Sequence, residues 1–483
     1  MKLILERCGS VIETGSGEAW ASDRLRDEVA RRGAAMAAQG LGRGSPILIS
    51  HGGTPAFFAD LFAVWSIGGI AACLNPGLTA EELQRIAAFI GARAVCIGAG
   101  SAEPAGLDLL VLRGDAAPPA PAPGLLPGNI LDDPALILFT SGTTGTPKGV
   151  VHTYRSILAR LTLNAVHIGP EVMRKTLCSL PTHFGHGLIG NCLSALYAGG
   201  DVHLMPGSSM KAVAGLGALI DRYEISFMSS VPSFWKMALK LSPPARGKSL
   251  RRIHIGSAPL SADLWQQVID WSQAPDVVNM YGITETANWL GGASSSQYKP
   301  LDGLIGRMWG GQIAVMDGNG VIHGQGEGEL VVQSPSLMAG YFNCDDLNSE
   351  ALRSGWFRTG DIGEVDATGV ARLTGRQKYE INRAGMKVHP EDIDLLLERH
   401  ESVREACAFG LPDEIAGETV GVAVSVHDAA SFDLPALKAW CAARLAREKL
   451  PERWFVVDDI PKTDRGKINR DTVAKACLAQ GKR

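Results

Sequence analysis

The stretch Leu136-Ile137-Leu138-Phe139-Thr140-Ser141-Gly142-Thr143-Thr144-Gly145-Thr146-Pro147-Lys148-Gly149-Val150 constrains this chain more than any other. Ala135 to Phe139 is an unbroken apolar run, the pattern of a buried strand. Thr140 to Gly149 then supplies three glycines, five hydroxyl side chains, one proline and one lysine. Glycine lets backbone N–H groups approach an anion closely, hydroxyls add donors, and Lys148 adds a point charge. That composition directly behind a strand predicts a polyphosphate cradle. It is not a Walker A loop, because the glycine at 142 is not followed at the required distance by Gly-Lys-Ser/Thr.

At 483 residues the chain is too long for one ordinary domain. Its 46% hydrophobic and 20% charged residues are those of a soluble globular protein, and a net charge of −4 gives no reason to expect nucleic acid or an anionic membrane. Nine dispersed cysteines with no Cys-x-x-Cys pair argue for reduced thiols and a cytoplasmic setting. Met1 to Arg7 is too short and too charged for a signal peptide. Leu61 to Ala80 carries no charge, but Asn75-Pro76-Gly77 breaks it, so a buried helix, a strand and a turn are expected rather than a membrane span.

From residue 46 short apolar strands alternate with helices: strands at 46–50, 69–74 and 94–97, helices at 54–67 and 80–90. The alternation predicts a parallel sheet covered on both faces. Residues 115–128 are a proline-rich connector. Past the phosphate loop the alternation resumes, with helices expected over 211–223 and 261–271 and strands over 225–231 and 277–280. Ligands in such sheets sit beyond the C-terminal ends of the strands, where the phosphate loop, Gly256-Ser257-Ala258-Pro259 and Tyr281-Gly282-Ile283-Thr284-Glu285 can converge. Residues 312–375 carry hairpin signals at Asp317-Gly318-Asn319-Gly320 and Ala367-Thr368-Gly369, which predict a small β subdomain. The remainder has the helix and strand pattern of a compact α+β module. The expected fold class is therefore α/β: a large N-terminal domain over 1–376 and a small mobile domain over 377–483.

Thr140 to Gly149, TSGTTGTPKG, resembles the phosphate-loop signature of the acyl-adenylating superfamily, which includes acyl-CoA synthetases, carrier-protein adenylation domains and beetle luciferases. Four further segments resemble its signatures in order. Thr140, Ser141, Gly142, Thr143, Thr144 and Lys148 would bind phosphate, and Gly256, Ser257, Ala258 and Pro259 are expected in the same cofactor site. The resemblance implies that Tyr281 lies against adenine, Thr284 on the α-phosphate and Glu285 on Mg²⁺, a hard cation that prefers oxygen ligands. In Gly355-Trp356-Phe357-Arg358-Thr359-Gly360-Asp361 it implies that Asp361 holds the ribose hydroxyls, since a carboxylate can accept from two donors. Arg376 would reach the nucleotide, and Lys378 would stand at the hinge.

Ile381 to Pro390 is similar to the segment that faces the active site after the small domain turns, with Gly385 on the thiol path. Tyr379 and Asn382 depart from that pattern, in which Asp and Lys are commoner. Pro461-Lys462-Thr463-Asp464-Arg465-Gly466-Lys467 resembles the last signature, in which Lys467 bridges the acyl carboxylate and the α-phosphate. His183 and Phe184 align with the segment that closes the acyl pocket, and Ser229, Ile255, Gly256, Gly282, Ala287 and Asn288 would line the rest. The cluster His183, His186 and His203 lacks the carboxylate or further ligand of a metal site.

The implied activity is ATP-dependent conversion of a small carboxylic acid to acyl-AMP and pyrophosphate, followed by transfer to coenzyme A. One alternative acceptor is the phosphopantetheine of an acyl carrier protein. A kinase-like enzyme would instead release ADP, and a non-catalytic nucleotide binder would not need Glu285, Asp361, Arg376 and Lys467 together.

Overall fold

A computed structural model describes residues 2–99, 108–114, 130–140, 148–207, 209–383, 386–413, 417–445, 447–463 and 467–480. The statements below concern those residues. Ser141, Gly142, Thr143, Thr144 and Gly385, together with the proline-rich connector, lie outside them.

Two sheets make up the larger part. The first has seven strands and is built on Pro46–Ile49, Ile70–Cys73, Ala94–Ile97 and Leu110–Arg113, all parallel, with Pro134–Thr140 joining parallel to Ile70–Cys73. The strands Pro46–Ile49, Ile70–Cys73 and Ala94–Ile97 are almost wholly buried, which matches their unbroken apolar sequence. The expected parallel order changes at the phosphate loop. Lys148–Thr153 returns antiparallel to Pro134–Thr140, with Lys148 directly opposite Thr140. Helix Pro55–Ser66 is buried along most of its length, and the uncharged stretch around it resolves into helix, strand and turn. No described helix is long and apolar enough to cross a membrane.

The second sheet has fifteen strands. Val11–Glu13, Asp201–Leu204, Lys175–Cys178, Phe227–Ser230, Arg252–Ile255 and Asp276–Ile283 run parallel in that spatial order. Asn288–Ser294 and Leu304–Met308 then continue it antiparallel, and through Leu304–Met308 it runs on into the strands of residues 312–376. Both expected hairpins are present, Gln312–Met316 with Ile322–His323 and Trp356–Val365 with Ala371–Arg376. The helix expected over 211–223 is two pieces, Met210–Ala214 and Leu216–Tyr223, interrupted at Gly215. Gly217 in the second piece presses on the Pro243 carbonyl so closely that a Cβ would stand 2.3 Å from it. The chain turns there to make that approach, and glycine's low helix propensity makes the break inexpensive.

After Arg376 one 3-10 turn, Gln377–Tyr379, leads into a separate five-stranded sheet. Its central strand, Gly417–Val426, lies between Val403–Asp413 and Arg453–Val456 and has alternating faces. Val420, Val422 and Val424 pack under helices Pro390–Leu397 and Leu434–Ala442, whereas Ala423 faces Val473 and Cys477 of Arg470–Gln480. The period-two pattern thus gives this small unit two cores of its own.

Candidate active site

Gly256–Pro259 and the Thr284–Glu285 turn lie just beyond the parallel strands Arg252–Ile255 and Asp276–Ile283, whereas Ser229, Ile255, Tyr281 and Gly282 lie within strands. Asp276–Ile283 delivers Tyr281 and Gly282 and then closes in the short turn Thr284–Thr286. The chain reverses sharply: Ala287 and Asn288 have φ of 54° and 97°, and a Cβ on Gly282 would stand 2.2 Å from the Asn288 carbonyl. Only glycine at 282 permits that approach.

Every carbonyl of the turn accepts a hydrogen bond. His152 Nε2 meets Thr284 O at 2.9 Å, the Met338 amide donates to Glu285 O at 2.7 Å, and Ser336 Oγ donates to Thr286 O at 2.8 Å. Arg160 Nε also reaches Thr286 O, at 3.3 Å, and Arg160 Nη2 reaches Ser336 Oγ at 2.6 Å. Arg160 is fully buried, and burial without a carboxylate partner pushes its guanidinium down to about 9. The Glu285 carboxylate itself accepts from Tyr341 Oη at 2.7 Å. His152, Arg160, Ser336 and Tyr341 lie far away in sequence and carry no local signal. Only the position of His152, just behind the phosphate loop, could have drawn attention to it.

Asp361 is 2% exposed, and both its oxygens are engaged. Tyr281 Oη donates to Oδ2 at 2.8 Å, and Arg376 Nε lies 2.7 Å from Oδ1. Asp361 and Arg376 are direct cross-strand partners, so the hairpin itself sets this pair. The Asp361 charge raises the Arg376 guanidinium, and burial, with the Asp361 charge added, raises the Tyr281 phenol. A ribose at Asp361 would use the lone pairs these donors leave. Beside it an open cavity of about 500 Å³ is lined by Glu350, Arg358, Thr359, Gly360, Arg376, Lys378 and Tyr379. Lys378 is half exposed, lies over the Tyr379 ring and pairs with Asp471 at 3.2 Å.

Of the residues expected at the acyl and nucleotide sites, Ser229, Ser257 and Phe184 gather around His186. His186 opens an unforeseen π-helix, His186–Leu193, and bridges Ser229 Oγ at 2.5 Å and Ser257 Oγ at 2.8 Å. Ser257 adopts φ of 68°, which orients the Gly256–Pro259 turn toward it. Burial, reinforced by the nearby Lys467 charge, pushes His186 down to about 3, so its ring is neutral and one nitrogen donates while the other accepts. Ile255, Ala287 and Ser229 are fully buried; Phe184, His183 and Asn288 are nearly so. The Asn288 carboxamide nitrogen is buried without a hydrogen-bond partner among the described residues. Of the three clustered histidines, His203 packs instead on Tyr223.

Lys467 comes from the small C-terminal unit, yet its Nζ lies 5.8 Å from the centre of the Phe184 ring. Lys148 lies 5.7 Å from the Tyr341 ring. The geometry thus unites Lys467, Phe184, His186, Ser229 and Ser257 on one side, and Lys148, Tyr341, Glu285, Tyr281, Asp361 and Arg376 on the other.

Lys467 from the C-terminal unit beside Phe184, and the cluster of Asp361, Arg376 and Tyr281, fit a nucleotide-dependent acid-activating enzyme. The chain belongs to the AMP-binding enzyme family, whose main domain matches residues 10–342 and whose C-terminal domain matches 392–467. It is 30% identical to a probable CoA ligase, CCL9, of Humulus lupulus, over 95% of this chain and 91% of that one. It is also 30% identical to the oxalate–CoA ligase of Arabidopsis thaliana, over 94% and 93% of the two chains. Among solved structures, the anthranilate CoA ligase AuaEII in complex with anthranoyl-AMP superposes with a TM-score of 0.87 at 21% identity, covering 99% of this chain and 97% of that one.

Proposed function

We propose the following division of labour for the ATP-dependent activation of a carboxylic acid, and its transfer to coenzyme A, that this family member carries out. Thr140 to Lys148 cradles the phosphates, with Thr284 on the α-phosphate. Tyr281 and Gly256–Pro259 enclose the base. Asp361, steadied by Arg376, takes the ribose. The oxygen donor of Glu285 suits Mg²⁺, which when bound offsets phosphate charge. Lys467 stands between the acid and the α-phosphate, two anions that must meet, and lowers their repulsion as the acyl-phosphate bond forms. AMP is then displaced by a thiol that approaches along Gly385 after the unit beyond the hinge at Lys378 has turned.

The observation that supports this reading is that Lys467, presented by the C-terminal unit, holds its Nζ 5.8 Å from the centre of the Phe184 ring. The test is product analysis: AMP and pyrophosphate should form only with acid and Mg²⁺ present, and acid-dependent ADP would overturn the reading.

Phe184 and Ala287 suit an apolar acyl body of modest size, while Ser229 and the unpartnered Asn288 amide suit a polar substituent. We therefore favour a small aromatic or medium-chain acid. Asn288→Leu should reorder the preference among acids more than it alters ATP affinity; acceptance of long-chain fatty acids alone would contradict this. A holo-carrier protein is the alternative acceptor, and transfer assays with coenzyme A and with holo-carrier separate the two. The dispersed free cysteines fit a cytoplasmic enzyme.

A further inference from the structure

Tyr341 belongs to no expected motif, yet it touches both halves of the phosphate site. Its hydroxyl donates to Glu285 Oε1 at 2.7 Å, and its ring lies 5.7 Å from Lys148 Nζ. Its backbone is fixed on two sides. Gly340 and Tyr341 pair antiparallel with Val151 and Val150, in the strand that begins with Lys148. Asn348 clamps the other edge, accepting from the Tyr341 amide at 2.6 Å and donating to its carbonyl at 3.0 Å. The same segment supplies the Met338 amide that holds the Glu285 carbonyl. The phenol is largely buried, with the Glu285 carboxylate as its acceptor.

No ion pair joins Lys148 to Glu285 among the described residues. The tyrosine explains this physically: it offers the carboxylate a neutral donor and the ammonium an aromatic face, and so engages each without letting them neutralise one another. Were they to pair, one cation for phosphate and one anion for metal would be lost together.

We infer that Tyr341 is a positioning residue of the nucleotide site, one that holds the Glu285 carboxylate ready for a divalent cation and apart from Lys148. The inference rests on the reading of Glu285 as the metal-binding carboxylate. Its test uses Mn²⁺ as the probe, with the dissociation constant of the enzyme–ATP complex for Mn²⁺ read from the free-ion EPR signal. ATP binding in EDTA is measured by equilibrium dialysis. Tyr341→Phe keeps the ring and removes the hydroxyl. Loss of an outer partner to a metal ligand should weaken Mn²⁺ binding roughly 10- to 100-fold, with metal-free ATP binding unchanged. Glu285→Gln should weaken Mn²⁺ binding at least as much. If Glu285→Gln does so and Tyr341→Phe does not, the role of Tyr341 is refuted while that of Glu285 stands. If neither changes Mn²⁺ binding, the reading of Glu285 fails and the inference with it. If Tyr341→Phe weakens ATP binding in EDTA as much as it weakens Mn²⁺ binding, the residue is merely structural and the inference is wrong. Should the phenylalanine variant not fold, Tyr341→His, which keeps a ring and a donor, is compared in its place and should bind Mn²⁺ within about threefold of the parent protein; a larger loss refutes the role.

Discussion

The two walls of the crevice are built in opposite ways. The wall around Thr284–Thr286 is held from three directions, with each carbonyl and the Glu285 carboxylate meeting a donor from another part of the N-terminal fold. The wall that carries Lys467 belongs to a unit with its own two cores, and ion pairs that tie it to the larger part, Lys236–Glu398 at 2.8 Å and Arg399–Asp302, are part-exposed. Such pairs contribute little, typically below about 1 kcal/mol each. A buried polar network in which each carbonyl of the turn has a donor resists movement, whereas a polar contact between separately cored units can be exchanged for water at small cost. On the proposed reading the fixed wall binds and aligns the nucleotide, and the exchangeable wall supplies a charge for one step only.

The largest expected effect falls on the exchangeable wall. Lys467→Ala removes a cation needed where two anions meet, and losing such a contact should slow acyl-AMP formation roughly 100- to 1000-fold. Rapid-quench measurement of pyrophosphate with ATP and acid checks this. If the rate fell no more than a few-fold, Lys467 would be a bystander.

The fixed wall should respond in stability. His152→Leu removes one of two donors to the Thr284 carbonyl, the Ala287 amide at 3.0 Å being the other, at a cost of about 1 kcal/mol by urea unfolding. The same histidine links this wall to pH. Burial pushes His152 down to about 4 and His186 to about 3, below the ordinary value near 6.5. The unfolded chain therefore binds protons that the folded one refuses, so stability is whole above pH 6.5 and is lost as pH falls toward 3. His152→Leu should make that acid decline shallower; an unchanged slope would mean that His152 is not held neutral.

Part of this contrast was legible in the sequence. The apolar run before Thr140 marks its strand, and a strand is found at the expected place before Thr284, though it runs on through Tyr281 to Ile283, because both signals are local and periodic. The donors that hold the Glu285 turn are not local: His152 and Thr284 are 132 positions apart, and Tyr341 and Glu285 are 56 apart. Hydrogen bonds over such separations leave no trace in hydrophobic period. The antiparallel return after the phosphate loop was missed because a strand buried on both faces reads alike in either direction. The π-helix at His186 was missed because its small and apolar residues carry no cap signal.

The smallest effect tests the seam between the walls. Lys236→Ala removes a part-exposed pair with Glu398 and should change stability by less than about 1 kcal/mol. By loosening the present arrangement it should speed the thiol step, at most about fivefold. A large loss of stability would show that the seam is not exchangeable.

The most direct test takes the two half-reactions apart in single-turnover assays, with synthetic acyl-AMP and coenzyme A supplied to Lys467→Ala and to Lys378→Pro. A proline fixes φ at the hinge and should hinder the turn to the second arrangement. Thiolysis by Lys467→Ala should stay within about threefold of the parent protein, although its acyl-AMP formation is crippled, and Lys378→Pro should show the reverse. Equal slowing of both steps by Lys467→Ala, or a defect of Lys378→Pro confined to acyl-AMP formation, would contradict the division between a fixed and an exchangeable wall.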